Sequence, residues 1–285
     1  MKIVRTVAEL RQWSRALRRE ASPDSSNLIG LVPTMGALHA GHASLIRAAR
    51  DATRHVAVSI FVNPTQFAPN EDFSRYPRTF DADCALAWAE GADVIFAPAV
   101  EEIYPAGAAT FVEVERIGDR LDGVSRPGHF RGVATVVAKL FIASEADRAF
   151  FGQKDAAQVA VLRRMVTDLR LSIEIVVCPI VRDPDGLALS SRNIYLSPAE
   201  RNHALALSRA LRRVEAFVAT GERRAETLID AARATLTAEP GIRVDYIELV
   251  DWATLESVDT AAPKSLFAIA AWVGVTRLID NVIFF

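Results

Sequence analysis

Two histidines, His39 and His42, stand three residues apart in the segment Pro33-Thr34-Met35-Gly36-Ala37-Leu38-His39-Ala40-Gly41-His42, directly after the apolar run 28–32. In an open parallel sheet, ligands sit beyond the carboxyl ends of the strands, and the helix that follows offers unpaired N–H groups and a partial positive charge to phosphate. Residues at i and i+3 of a first helical turn are neighbours, so both rings are placed to donate to one polyphosphate. A His-x-x-His pair is also half of a metal site, but no Cys or third His lies close in sequence to complete it.

Further polar segments follow other apolar runs. Asn63-Pro64-Thr65-Gln66-Phe67 comes after the run 56–62. Asn63 and Pro64 suit a turn, whereas Gln66 could hydrogen-bond a substrate without adding charge. Gly152-Gln153-Lys154-Asp155-Ala156-Ala157-Gln158 repeats the order strand, Gly, helix, and sets Lys154 and Gln158 at i and i+4 as a second phosphate-facing helix start. Asp155 there suits a ribose hydroxyl or a helix cap equally. Leu189-Ser190-Ser191-Arg192-Asn193 joins two hydroxyls to a guanidinium, a combination suited to closing over a triphosphate. Asp81 and Asp83 could help hold Mg²⁺ or simply begin a helix. The chain has no Gly-x-x-x-x-Gly-Lys-Ser/Thr, Gly-x-Gly-x-x-Gly or Gly-x-Ser-x-Gly, which argues against a Walker-type ATPase, a standard dinucleotide enzyme and a serine nucleophile.

The elements that must position these groups alternate along the first part of the chain. Runs dense in Val, Ile and Phe at 28–32, 56–62, 94–96, 149–151 and 173–181 read as strands, while 43–52, 81–90, 133–143 and 154–169 have helical apolar spacing. Unbroken apolar strands joined by helices predict an α/β fold, a doubly wound parallel sheet covered on both faces. The turn-forming cluster Arg182-Asp183-Pro184-Asp185-Gly186 marks a boundary between a domain at 1–181 and a smaller α+β domain at 182–285. In the latter, 198–220 and 222–236 read as amphipathic helices and 244–250 and 266–275 as strands; the arginines at 209, 212, 213, 223 and 224 read as a solvated helix face.

With 51% hydrophobic and 24% charged residues among 285, the composition is that of a globular protein. A net charge of −2 gives no electrostatic reason to expect nucleic acid or anionic membrane, so the expected partners are small molecules. Cys84 and Cys178 lie too far apart in sequence to suggest a disulfide framework. Residues 1–20 lack the apolar region of a signal peptide, and the run 266–275 is far short of the ~20 residues that span a bilayer, so a cytoplasmic location is expected.

Taken together, 33–42, 63–67, Tyr76-Pro77-Arg78, Arg126-Pro127-Gly128-His129-Phe130, 151–155 and 190–193 closely resemble the pantothenate synthetase (pantoate–β-alanine ligase) family over nearly the whole chain. The resemblance implies a Rossmann-like nucleotidyltransferase domain, a smaller C-terminal domain closing over the nucleotide, and a homodimer. It implies condensation of (R)-pantoate with β-alanine to pantothenate, a coenzyme A precursor, through a pantoyl adenylate, with ATP cleaved to AMP and pyrophosphate and with Mg²⁺ as cofactor.

Carried onto this sequence, the family pattern makes Met35, Gly36, Ala37, Leu38, His39, Ala40, Gly41, His42, Gly152, Gln153, Lys154, Asp155, Val181, Leu189, Ser190, Ser191 and Arg192 the ATP site, with His42 as proton donor. Gln66 would contact pantoate and later β-alanine, Gln158 would hold pantoate, and Asn63 would join them as a substrate contact. His39, His42, Lys154 and Arg192 would form the catalytic set around the departing pyrophosphate, with Asp83 meeting Mg²⁺ through ATP. Family members commonly carry Glu at Gln153, an aromatic residue at Ala156 and Gln at Ala157, so local packing there stays open. The segment 68–78 is the expected lid that keeps water from the adenylate. Two other readings compete: a nucleotidyltransferase acting on a phosphorylated acceptor, which calls for Arg or Lys where this chain offers Gln66 and Gln158, and an ATP sensor without turnover.

Overall fold

Parallel strands need long crossovers, and helices supply them here. The computed structural model describes residues 2–20, 27–68 and 72–285. Six strands, β1 (Lys2–Val4), β2 (Ile29–Thr34), β3 (His55–Ile60), β4 (Val94–Phe96), β5 (Arg148–Gly152) and β6 (Glu174–Cys178), form one parallel sheet in the order β1-β4-β3-β2-β5-β6. The helices are α1 (Val7–Glu20), α2 (Ala40–Ala52), α3 (Phe80–Ala89), α4 (Val100–Ile103), the short α5 (Asp122–Ser125), α6 (His129–Ser144) and α7 (Ala156–Asp168). Leu45, Ile46 and Ala49 of α2 and Ala87 of α3 bury against Val32, Val56, Val58 and Ile95. Helices α1 and α6 pack together, with Ser14 Oγ donating to Ser144 O at 2.5 Å. The doubly wound parallel sheet is the expected one. Strand β1 and helix α1 were not anticipated, because the charges of 1–20 hide their apolar positions, Val4 and Leu10, both buried.

The strand order creates the ligand-binding position. From β2 the chain proceeds outward through β3 and β4, and it begins the other half of the sheet at β5, so β2 and β5 flank the topological switch point. Their pairing stops early, at Gly30↔Arg148 and Leu31↔Ala149, while β2 stays paired with β3 to Thr34↔Ile60 and β5 with β6 to Gly152↔Cys178. Ile29 O accepts from Asp147 N on the β5 side, and alternation turns Pro33 to that same side. The missing N–H of Pro33 therefore falls where the ladder has already opened.

Packing divides the chain into two compact units: Met1–Gly118, Arg126–Gly152 and Val161–Cys178 form the first, and Asp119–Ser125, Gln153–Ala160 and Pro179–Phe285 the second. Two short segments upstream of the expected boundary thus belong with the C-terminal residues. The second unit has an antiparallel sheet of β7 (Ile242–Asp251), β8 (Ser265–Val273) and β9 (Thr276–Ile283), with α8 (Pro198–Ala219) and α9 (Ala225–Thr237). Leu207, Leu211, Leu228, Phe267 and Ile269 fill its core. Ser197 and Glu200 start α8 by reciprocal capping, with Pro198 at the first helical position. Strand β9 escaped the sequence reading because Arg277, Asp280 and Asn281 interrupt its apolar pattern, yet Asp280 and Asn281 are buried. Cys84 and Cys178 are free and buried, and burial pushes both thiols up.

Candidate active site

The loop between β2 and α2 is bent by Gly36 at φ +83° and Ala37 at φ +50°. Asp83 of α3, 2% exposed, braces it from below. Its Oδ2 accepts from Ala37 N at 3.0 Å, and its Oδ1 accepts from Leu38 N at 2.8 Å and Thr79 Oγ1 at 3.0 Å. A Cβ on Gly36 would stand 3.0 Å from Asp83 Oδ2, so both backbone angle and close approach favour glycine there. Both carboxylate oxygens are therefore committed to the loop. Among the described residues no group of three His, Cys, Asp or Glu could hold a metal. In this structure the Asp83 carboxylate shapes the loop.

His39 and His42 organise the head of α2. His39 is the N-cap, with extended backbone (φ −136°, ψ 179°) instead of the first-turn geometry expected from sequence. Its Nδ1 accepts from Gly41 N at 3.1 Å, and His42 Nδ1 accepts from His39 N at 3.3 Å. The ring centroids lie 4.2 Å apart. A ring nitrogen that accepts a backbone N–H carries no proton, so each neutral ring bears its hydrogen on Nε2. Two Nε2–H donors thus accompany the positive end of a helix, immediately after β2 at the switch point.

The turn after β3, a 3₁₀ segment at Pro64–Gln66, is held from several directions. Asn63 Nδ2 donates to Gln66 Oε1 at 2.9 Å and to Gly132 O at 3.2 Å. Asn63 Oδ1 accepts from Thr65 Oγ1 at 3.0 Å and from Tyr104 OH at 2.9 Å. Burial pushes the Tyr104 phenol up, which keeps it a neutral donor. At 1% exposure and with both amide atoms bonded, Asn63 is an internal strut of this turn. Its bond pins Gln66 Oε1 and leaves Nε2–H₂ as the donor side of that amide. Gln66 O accepts from His129 Nδ1 at 2.9 Å and Arg126 Nη2 at 3.2 Å. Arg126 Nη1 faces His129 Nε2 at 3.1 Å; as Arg can only donate, this ring carries its proton on Nδ1, opposite to His39 and His42. Helix α6 presses so closely that a Cβ on Gly132 would lie 2.2 Å from Thr65 O. Tyr104 and Gly132 were not anticipated; the one available signal was an isolated Gly within the helical pattern 133–143 and its approach.

Part of the expected lid, Pro69, Asn70 and Glu71, lies outside the described residues. Within the rest, Phe67 packs edge-on against Phe73 and Tyr76, with centroids at 5.4 and 5.9 Å, and Arg78 lies over the Phe73 ring.

In the second unit, Gln153–Asp155 form a 3₁₀ turn, so Lys154 precedes α7 instead of sharing a helical face with Gln158. Lys154 Nζ lies 3.4 Å from Asp155 Oδ1. Ala156 and Ala157 are buried and, with Lys154, Asp280 and Asn281, line a cavity of about 10 Å³, room for roughly one water. Val181 O accepts from Leu189 N at 3.0 Å. Ser190 Oγ accepts from Arg192 N at 3.3 Å and caps the 3₁₀ turn Ser191–Tyr195. Asn193 Nδ2 donates to Ala188 O at 3.0 Å, while its Oδ1 is buried without a hydrogen-bond donor, an acceptor that a ligand hydroxyl or a water would satisfy. The first unit thus brings together 35–42, Asn63, Gln66, Asp83 and Gly152, and the second holds Gln153, Lys154, Asp155, Gln158, Val181 and 189–192.

The family model described as Pantoate-beta-alanine ligase matches residues 2–283. A pantothenate synthetase of Acidobacterium capsulatum is 58% identical, covering 99% of this chain and 97% of its own length. The crystal structure of pantothenate synthetase from Thermus thermophilus superposes with a TM-score of 0.91 at 45% identity, over 99% of both chains. A pantoate-beta-alanine ligase from Francisella tularensis, solved in complex with beta-gamma ATP and beta-alanine, gives a TM-score of 0.79 at 34% identity, over 99% of this chain and 97% of that one. Among the described residues no helix is long and apolar enough to cross a membrane.

Proposed function

The chain belongs to the pantoate-beta-alanine ligase family, and on that premise we propose that it condenses (R)-pantoate with β-alanine, cleaving ATP to AMP and pyrophosphate. A carboxylate and an amine do not condense readily in water. The pantoate carboxylate first attacks the α-phosphorus of ATP, forming a pantoyl adenylate and releasing pyrophosphate. The β-alanine amine, as the free base, then attacks the acyl carbon and AMP departs. The family relationship supports this over transfer to a phosphorylated acceptor.

The observation that carries the residue roles is that Nδ1 of His39 and of His42 each accepts a backbone N–H, which assigns the ring hydrogen to Nε2. Negative charge grows on the departing pyrophosphate, and donors fixed in advance stabilise it without reorganisation, each worth about 3 to 4 kcal/mol when well placed. In this reading the Nε2–H groups of His39 and His42 donate hydrogen bonds to the triphosphate, His42 as the donor to the departing pyrophosphate, and Lys154 and Arg192 add positive charge. The backbone of 35–42, Gly152, Gln153, Asp155, Val181, Leu189, Ser190 and Ser191 completes the ATP contacts. Gln66 Nε2 and Gln158 orient pantoate; because an amide carries no charge, neither forms an ion pair that would blunt the attacking carboxylate. Mg²⁺ belongs to the same proposal as an ion arriving on the phosphates of ATP, as Mg²⁺ commonly does. So do a homodimeric assembly, a cytoplasmic setting, and a C-terminal domain at 182–285 that closes over the nucleotide.

Isotope exchange tests the reading. Labelled pyrophosphate should enter ATP only when pantoate is present, and AMP should accumulate once β-alanine is added. Exchange without pantoate, or AMP release that ignores β-alanine, would overturn it.

A further inference from the structure

Strand β9 carries two buried polar side chains in succession, and successive side chains of a strand point to opposite faces. Asn281 Nδ2 donates to Gln153 O and Lys154 O, both at 3.0 Å, and its Oδ1 accepts from Gln153 Nε2 at 3.2 Å. Asp280 accepts from Arg182 through both carboxylate oxygens, at 2.6 and 2.9 Å. Arg182 in turn pairs with Ala188 in an antiparallel bridge, one residue before Leu189 N bonds back to Val181 O. The two neighbours therefore tie down two separate segments, one bearing Lys154 and the other leading to 189–192.

A three-residue 3₁₀ turn satisfies few of its own carbonyls, so its orientation depends on donors from elsewhere. At position 281 only an amide supplies both donors for two carbonyls and an acceptor for a third group. An aspartate of the same shape would turn an oxygen toward two oxygens. We propose that Asn281 is a positioning residue of the nucleotide chemistry: it sets the direction in which Lys154 leaves the chain. The inference rests on the role assigned above to Lys154.

The test is Asn281→Asp, assayed beside Lys154→Ala and the double variant. Displacing a catalytic group by an ångström typically costs up to about 100-fold, so Asn281→Asp should lower kcat about 10- to 100-fold and raise the ATP KM, with the pantoate KM little changed. The double variant should be no slower than Lys154→Ala alone, since a misdirected lysine and a missing one are equivalent. Should Asn281→Asp not fold by circular dichroism, Asn281→Ser, which retains one donor, carries the same measurement. A folded variant with wild-type kcat and ATP KM, a parallel rise in both KM values, or additive losses in the double variant would overturn the positioning role. An unimpaired Lys154→Ala would instead overturn the reading of Lys154 on which it rests.

Discussion

The head of α2 and the turn after β3 both follow the carboxyl ends of neighbouring strands, yet they hold their side chains by different means. His39 and His42 are oriented by nearby backbone N–H groups, of Gly41 and His39, through bonds that span two and three residues. The Gln66 amide is held by Asn63, three residues away, but the turn that carries both is fixed from afar: Tyr104 and Gly132 O bond Asn63, and Arg126 and His129 donate to Gln66 O. A locally capped pair tolerates change elsewhere in the fold. A turn held by four distant partners reports a disturbance at any of them.

Substitutions at three positions sharpen that contrast. The largest effect belongs to His42. Replacing it with Ala should cut turnover by about 10² to 10³, the loss typical of one transition-state donor. His42→Asn separates chemistry from capping: its side-chain oxygen can still accept His39 N–H, so thermal stability should hold while turnover falls as far as in the alanine variant. Retained turnover in His42→Asn would reduce this histidine to a cap.

Gly132→Ala comes next. The added methyl would meet Thr65 O at 2.2 Å and Gln66 N at 2.9 Å, backbone atoms that cannot rotate aside. The turn must shift, and steady-state kinetics should show a pantoate KM raised about 10-fold or more, at an overpacking cost of about 1 to 3 kcal/mol in denaturant unfolding. The ATP KM should stay near wild type; if it rose equally, α6 would be supporting the whole sheet edge and not this turn.

Tyr104→Phe should act least. It removes one donor to Asn63 Oδ1, while Thr65 Oγ1 remains bonded to that oxygen. A net hydrogen bond contributes about 1 kcal/mol, so a several-fold rise in pantoate KM is expected, with the ATP KM unchanged. A shift as large as that of Gly132→Ala would place the phenol itself against substrate.

The same contrast explains what could be read in the chain. The imidazole pair was legible because its spacing, its preceding strand and its helix start all lie within 28–52. Asn63 was legible as a turn residue but not as a strut, since its bonds to Tyr104 and to Gly132 O join segments that no local pattern connects. Asp83 was legible as a helix-start carboxylate but not as the brace of the loop after β2, since Ala37 and Leu38 reach its oxygens only in the fold. The i and i+4 spacing of Lys154 and Gln158 implied one helical face, which the 3₁₀ turn at Gln153–Asp155 removes.

By itself the sequence determined the alternation of strands and helices, the parallel sheet and the placing of polar motifs at strand ends, because apolar periodicity and turn chemistry act over a few residues. Tertiary structure alone decided which polar groups remain for ligands and which are consumed inside. A buried donor or acceptor must find a partner, and which partner comes within about 3 Å is set only when distant segments pack. Asp280 and Asn281 mark that divide: they broke the apolar pattern that would have revealed β9, and the packed structure shows them bonded to segments 98 and 128 residues earlier.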